Sequence, residues 1–135
     1  MTYQTFVKKI GFGSKGYSLI DNSNFNKPIF FSGESINYST IKEKLEKITD
    51  SKFENIKIGK QRNDPNEIKQ ISEEILKHKI DCIFVSGGGS IIDFVKNIFF
   101  EAKRKSKLPI SFYIIPSRIG SGAEASIASI FNTKK

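Results

Sequence analysis

The sequence predicts an α/β fold in which a mostly parallel β-sheet is covered by helices on both faces. Three observations predict it. Compact apolar runs alternate along the chain with stretches whose Ile, Leu and Phe recur at helical spacing. Those runs are continuous rather than alternating, as in strands buried on both sides. Two of them stop abruptly at glycine- and serine-rich loops, as strands do when they turn toward a crossover.

The elements follow in order. Residues 3–10 form a short strand leading to the turn Gly11–Phe12–Gly13. Pro28–Ile29–Phe30–Phe31–Ser32 is a buried strand that ends at Gly33. Ile41, Leu45 and Ile48 are spaced as one face of a helix over residues 37–49, and Phe53, Ile56 and Ile58 mark a second short strand. Asp64–Pro65–Asn66–Glu67 starts the next helix: Asp64 suits the N-cap, Pro65 the first helical position, and Glu67 the reciprocal place in a capping box. Ile68, Ile71 and Ile75 are its inner stripe. The run Asp81–Val85 is a third buried strand, broken by Gly87–Gly88–Gly89–Ser90. Ile91, Val95, Ile98, Phe99 and Ala102 then trace one helix face. Ile110–Ile115 is the next strand, stopped by Pro116 and followed by a loop over residues 117–122 and a mixed apolar segment.

A chain of 135 residues with 38% hydrophobic and 27% charged side chains is sized for one folded domain. Its formal net charge of +8 suits anionic partners, although the lysines are scattered along predicted helix faces. Only Lys103, Arg104, Lys105 and Lys107 cluster, at a helix end where cations complement the dipole. Cys82, the sole cysteine, excludes an internal disulfide, and one Cys with one His (His78) does not make a transition-metal site. No apolar stretch approaches the ~20 residues that span a bilayer, and the first ten residues lack a signal-like apolar core. The expected location is the cytoplasm.

Two loops carry the chemistry. At Gly87–Ser90 the missing side chains permit close backbone approach, and the helix that follows offers free N–H groups and the positive dipole end to a phosphate. Ser90 can cap that helix or bond a phosphate oxygen, and Asp93 stands near the first turn, where it either stabilises the helix or meets a ligand. A tight turn without any ligand would use the same glycines, and Ile92 occupies the third glycine place of the common GxGxxG pattern. The second loop, Pro116 to Glu124, also follows a strand, and its hydroxyls, glycines and Arg118 can line the same cleft edge.

Together the loops carry a resemblance. Gly87–Gly88–Gly89–Ser90, with Asp93 and Lys96, matches a GGGSxxDxxK pattern; Ile114 to Glu124 resembles IPTTAGTGSE; Gly11–Phe12–Gly13 resembles an early FG turn. In spacing and order the chain resembles the front part of the iron-containing alcohol dehydrogenases, relatives of glycerol dehydrogenase and dehydroquinate synthase. The resemblance implies a Rossmann-like NAD(P)-binding domain over residues 1–135, without the C-terminal helical domain that holds the family's iron or zinc. It implies that Gly87, Gly88, Gly89 and Ser90 hold the cofactor pyrophosphate, that Asp93 lies toward the nicotinamide, and that Ser117 and Ser121 stand where threonines contact the cofactor. Arg118 and Ala123 depart from the pattern, at a threonine and a serine. Gly33 stands where an acidic residue often takes the adenosine ribose; its lack of charge, with Ser32 and Ser35 nearby, predicts NADP(H) at least as good as NAD(H), with the adjacent Glu34 as the residue that would restore an NAD(H) preference.

Three functional readings follow. The first is the NAD(P)-binding part of an oxidoreductase that moves hydride between an alcohol or aldehyde and the nicotinamide, truncated and inactive by itself. The second is a non-catalytic nucleotide-binding module serving a partner chain that carries the metal. The third, a basic nucleic-acid binder, lacks any recognised motif, and the aromatics are committed to strands and helix faces.

Overall fold

A computed structural model describes residues 7–12, 26–34, 37–57, 64–116 and 126–130. The elements run β1 (Val7–Phe12), β2 (Pro28–Ser32), α1 (Asn37–Thr49), β3 (Glu54–Lys57), α2 (Pro65–Lys77), β4 (Cys82–Gly87), α3 (Gly89–Lys105), β5 (Ser111–Pro116) and β6 (Ser126–Ile130). They build one mixed sheet in the order β1-β6-β5-β4-β2-β3. The pairs β3–β2, β2–β4 and β4–β5 are parallel, whereas β6 runs antiparallel to both β5 and β1.

The parallel block is packed on both faces, as the continuous apolar runs require. Ile29, Phe31, Ile83, Val85 and Phe112 face α2 and α3, joining Ile75, Phe94, Val95, Ile98 and Phe99. Alternate residues, Phe30, Cys82, Phe84, Tyr113 and Ile115, face the other way and meet Leu45, Ile41 and Ile48 of α1. There Phe84 stacks between Phe53 and Tyr113, with ring centroids 5.3 and 5.1 Å away. Burial pushes the Cys82 thiol well above its ordinary pKa, with help from the nearby Asp81 charge; it is a core residue.

Local signals explain the helix ends. Asp64 accepts from the Asn66 N–H at 3.0 Å, and Pro65 begins α2. At the far end Ile80 N–H reaches the Ile75 carbonyl at 3.0 Å, with Lys79 at φ 57° in the left-handed position that glycine usually takes. Helix α1 is tied to the start of β3 through Glu46, whose Oε2 accepts from Lys42 Nζ and from Phe53 N–H, each at 2.8 Å. Those two bonds hold the Glu46 carboxyl below the ordinary glutamate range.

The amino-terminal edge of the parallel block is stapled by Asp81. Its carboxylate accepts from Asn26 N–H (2.8 and 3.0 Å) and Lys27 N–H (2.8 Å), while its backbone bonds Lys27 and Ser111. No described helix is long and apolar enough to cross a membrane.

Candidate functional site

The chain path marks one place at the carboxyl edge of the sheet. From β2 the chain moves outward to β3, returns past β2 to β4, and continues to β5. The reversal puts α1 on one face and α2 and α3 on the other, as right-handed crossovers demand. The connection leaving β2 therefore heads to one face and that leaving the neighbouring β4 to the other. A crevice opens at such a switch point, outside the carboxyl ends of the strands.

Gly33 and Gly87 stand at the carboxyl ends of the two strands that meet at this switch point. Gly33 follows the last residue of β2 and donates its N–H to the Ser86 carbonyl at 3.3 Å. Gly87 ends β4 and pairs with Pro116, the last residue of β5. The strand that leads to the 117–122 loop thus ends beside the glycine run. Ser35, Ser117, Arg118 and Ser121 lie outside the described residues.

The three glycines of the run have two different explanations. A Cβ on Gly87 would come within 3.0–3.2 Å of the Ile91 side chain, so glycine there lets the first turn of α3 pack against the strand end. A Cβ on Gly88 or Gly89 would meet no described atom within 4 Å, and Gly88 has φ −76°, open to any residue. Neither crowding nor backbone strain among the described residues asks for glycine at these two exposed positions.

Among the described residues nothing closes the N-terminus of α3. Gly88 is its N-cap and supplies no side-chain cap; the first helical bond runs from Ile92 N–H to the Gly88 carbonyl at 3.0 Å. The N–H groups of Gly89, Ser90 and Ile91 therefore have no partner within the helix. Ser90 was one expected cap; the structure puts it inside the first turn instead, exposed, where a side chain no longer caps. Asp93 stands fifth in α3, past the first turn, with an exposed carboxylate 4.0 Å from Lys96 Nζ. Its dipole-stabilising role is correspondingly weakened.

Two serines stand at this edge, and the sequence marks only Ser32 as a candidate ligand contact. Ser32 was expected to reach a ligand phosphate, but its hydroxyl is buried and donates to the Gly33 carbonyl at 2.9 Å. Ser86 is fully buried, and among the described residues its Oγ alone is buried without a hydrogen-bond partner. An orphaned hydroxyl of this kind costs ~1–3 kcal/mol. Its signal in the sequence is a polar residue closing an apolar run just before the glycines.

The described donor set does not fit a metal. Among the described residues no three His, Cys, Asp or Glu side chains converge. His78 sits at the end of α2, 3.1 Å from Glu74 Oε1, and Cys82 is in the core.

The family model for iron-containing alcohol dehydrogenases matches residues 9–135. The chain belongs to the iron-containing alcohol dehydrogenase family. Among solved structures, that of YqhD from E. coli K-12, solved as a protein of unknown function, is similar at 13% identity and a TM-score of 0.46. The match covers 82% of this chain and 36% of YqhD, so this dehydrogenase-family chain spans about a third of that relative's length. No curated protein sequence matches it.

Proposed function

We propose that the 135 residues form one nucleotide-binding domain, the NAD(P)-binding part of an alcohol dehydrogenase-like oxidoreductase. The observation that carries this reading is the pair Gly88 and Gly89, glycines for which the described chain offers no internal reason. Something that approaches the backbone closely supplies one, and the three unpaired N–H groups beside them favour an anion. A dinucleotide pyrophosphate satisfies both requirements. The family membership supports the same ligand.

In this reading Gly88 and Gly89 admit the pyrophosphate to the backbone, and the amides of Gly89, Ser90 and Ile91 donate to its oxygens. Ser90 adds a hydroxyl, Asp93 lies toward the nicotinamide, Ser117 and Ser121 take the cofactor contacts that threonines make in the family pattern, and Arg118 is a further donor to phosphate. The bound cofactor supplies the hydride-carrying ring. Gly33 itself offers no carboxylate to the adenosine side, which suits a 2′-phosphate and thus NADP(H) at least as well as NAD(H), unless the adjacent, exposed Glu34 takes the ribose instead. Any such preference rests on Gly33 and Ser35, since the Ser32 hydroxyl is engaged with Gly33. Ligands for a substrate-polarising metal come from outside these residues, from a further segment or a partner chain. The 135 residues alone are therefore expected not to turn over short aldehydes, with or without added iron or zinc.

Titration of NADPH and NADH into the purified chain, followed by reduced-nicotinamide fluorescence, tests the proposal. Saturable binding of NADPH at least as tight as NADH is expected. Absence of saturable binding by either removes the nucleotide reading, and a clear preference for NADH removes the 2′-phosphate argument.

A further inference from the structure

The parallel register stacks side chains in rows across β2, β4 and β5, and one row changes character. On the α1 face the central row is Phe30, Phe84 and Tyr113, all with no exposed surface. The next row toward the carboxyl edge is Ser32, Ser86 and Ile115. It is the last row on that face before Gly33 and Gly87, at the switch point. Two hydroxyls thus replace two aromatic rings where the sheet meets the proposed ligand site.

Their situations differ. Ser32 Oγ bonds the Gly33 carbonyl, whereas Ser86 Oγ, on the central strand of the row, is buried and without a partner among the described residues. Alanine or valine would suit that position better in a protein that bound nothing, because an apolar group there leaves no polar atom stranded. Serine is small, and rotation about its Cα–Cβ bond moves the hydroxyl between staggered positions without disturbing the strand. A buried, unsatisfied hydroxyl one residue before a glycine loop is therefore placed to be satisfied by what enters the loop.

We propose that Ser86 is a ligand-contacting residue of the crevice, its Oγ hydrogen-bonding a sugar–phosphate oxygen of the bound dinucleotide. This rests on the nucleotide reading above and adds to it a side chain on the α1 face, opposite the α3 amides. With no partner among the described residues, the hydroxyl is carried at a cost that the complex recovers. Ser86 thereby couples affinity to a group that stability alone would remove.

Ser86→Ala and Ser86→Cys separate this from a purely structural serine. Each variant is titrated with NADPH, and its melting temperature is measured without ligand. Both variants are expected to melt at or above the wild-type temperature, and to bind NADPH roughly five- to tenfold more weakly, the loss of one hydrogen bond. Wild-type affinity in Ser86→Ala, while the wild-type chain binds NADPH well, overturns the inference and leaves the nucleotide reading standing. A ligand-free Ser86→Ala that melts lower than wild type overturns it too, because the hydroxyl would then be satisfied in the free protein. No binding of NADPH or NADH by the wild-type chain instead overturns the nucleotide reading, and this inference with it.

Discussion

The two edges of the parallel block are built to opposite rules. At the amino-terminal edge every strand start is tied down by the protein itself. The Asp81 carboxylate takes three short contacts from Asn26 and Lys27, and its backbone joins β2 to β5. At the carboxyl edge three helix amides, two unexplained glycines and the Ser86 hydroxyl have no partner among the described residues. Bonding that is closed at one end and open at the other suits a structural edge and a binding edge respectively: exposed helix amides exchange water for a ligand readily, and a buried unmet hydroxyl such as that of Ser86 is the group that calls for one.

Substitutions on the two sides should sort the same way. Gly88→Asp has room for its side chain, so the melting temperature should stay near wild type. It also sets a negative charge where the pyrophosphate is proposed to sit, so NADPH affinity should fall on the order of a hundredfold. Retained affinity in a folded Gly88→Asp chain would break the comparison at its binding edge. Asp81→Ala should do the reverse, lowering stability by about 1–3 kcal/mol in urea unfolding while leaving the NADPH affinity of the folded chain intact. An Asp81→Ala chain as stable as wild type would break it at the structural edge.

Smaller effects sharpen the contrast away from both edges. The Glu46 carboxyl titrates below its ordinary range, so it stabilises the fold above that range. Its contribution is lost as pH falls through the lowered folded value. Unfolding of wild type and Glu46→Gln should therefore differ at pH 7 by roughly 0.5–1 kcal/mol, and the gap should close at strongly acidic pH. Lys79→Gly relieves a left-handed backbone at the end of α2, and should raise stability by about 0.5–1 kcal/mol. Neither change should alter NADPH affinity.

Much of this was legible in the sequence because the deciding physics is local. Helix α1 occupies the residues that Ile41, Leu45 and Ile48 mark out, and α2 starts where Asp64 and Pro65 say it must. The glycine run ends β4 and opens α3 as its composition demands. What the sequence withheld depends on partners distant along the chain. Nothing in Ser126–Ile130 announces an antiparallel strand between β1 and β5, because its apolar residues follow no strict alternation and its pairing is long-range. Asp81 reads as the polar start of an apolar run until its carboxylate is seen reaching residues 54 and 55 positions earlier. The separate roles of Gly87 and of its two successors emerge only when Ile91 packs over one of them. Ser90 and Asp93 each fall deeper in α3 than their spacing from the glycines suggests, because the helix begins at Gly89.

The central claim is that the carboxyl edge, at the β2–β4 switch point, is where a dinucleotide binds. An amide-resolved NMR titration of the labelled chain with NADPH tests it most directly. The account predicts that the largest shifts fall on Gly33 and on Gly87 through Ile91, with Asn26, Lys27 and His78 at the opposite edge unmoved. Shifts concentrated around Asn26, Ile71 and His78, with the glycine-run amides silent, would contradict it.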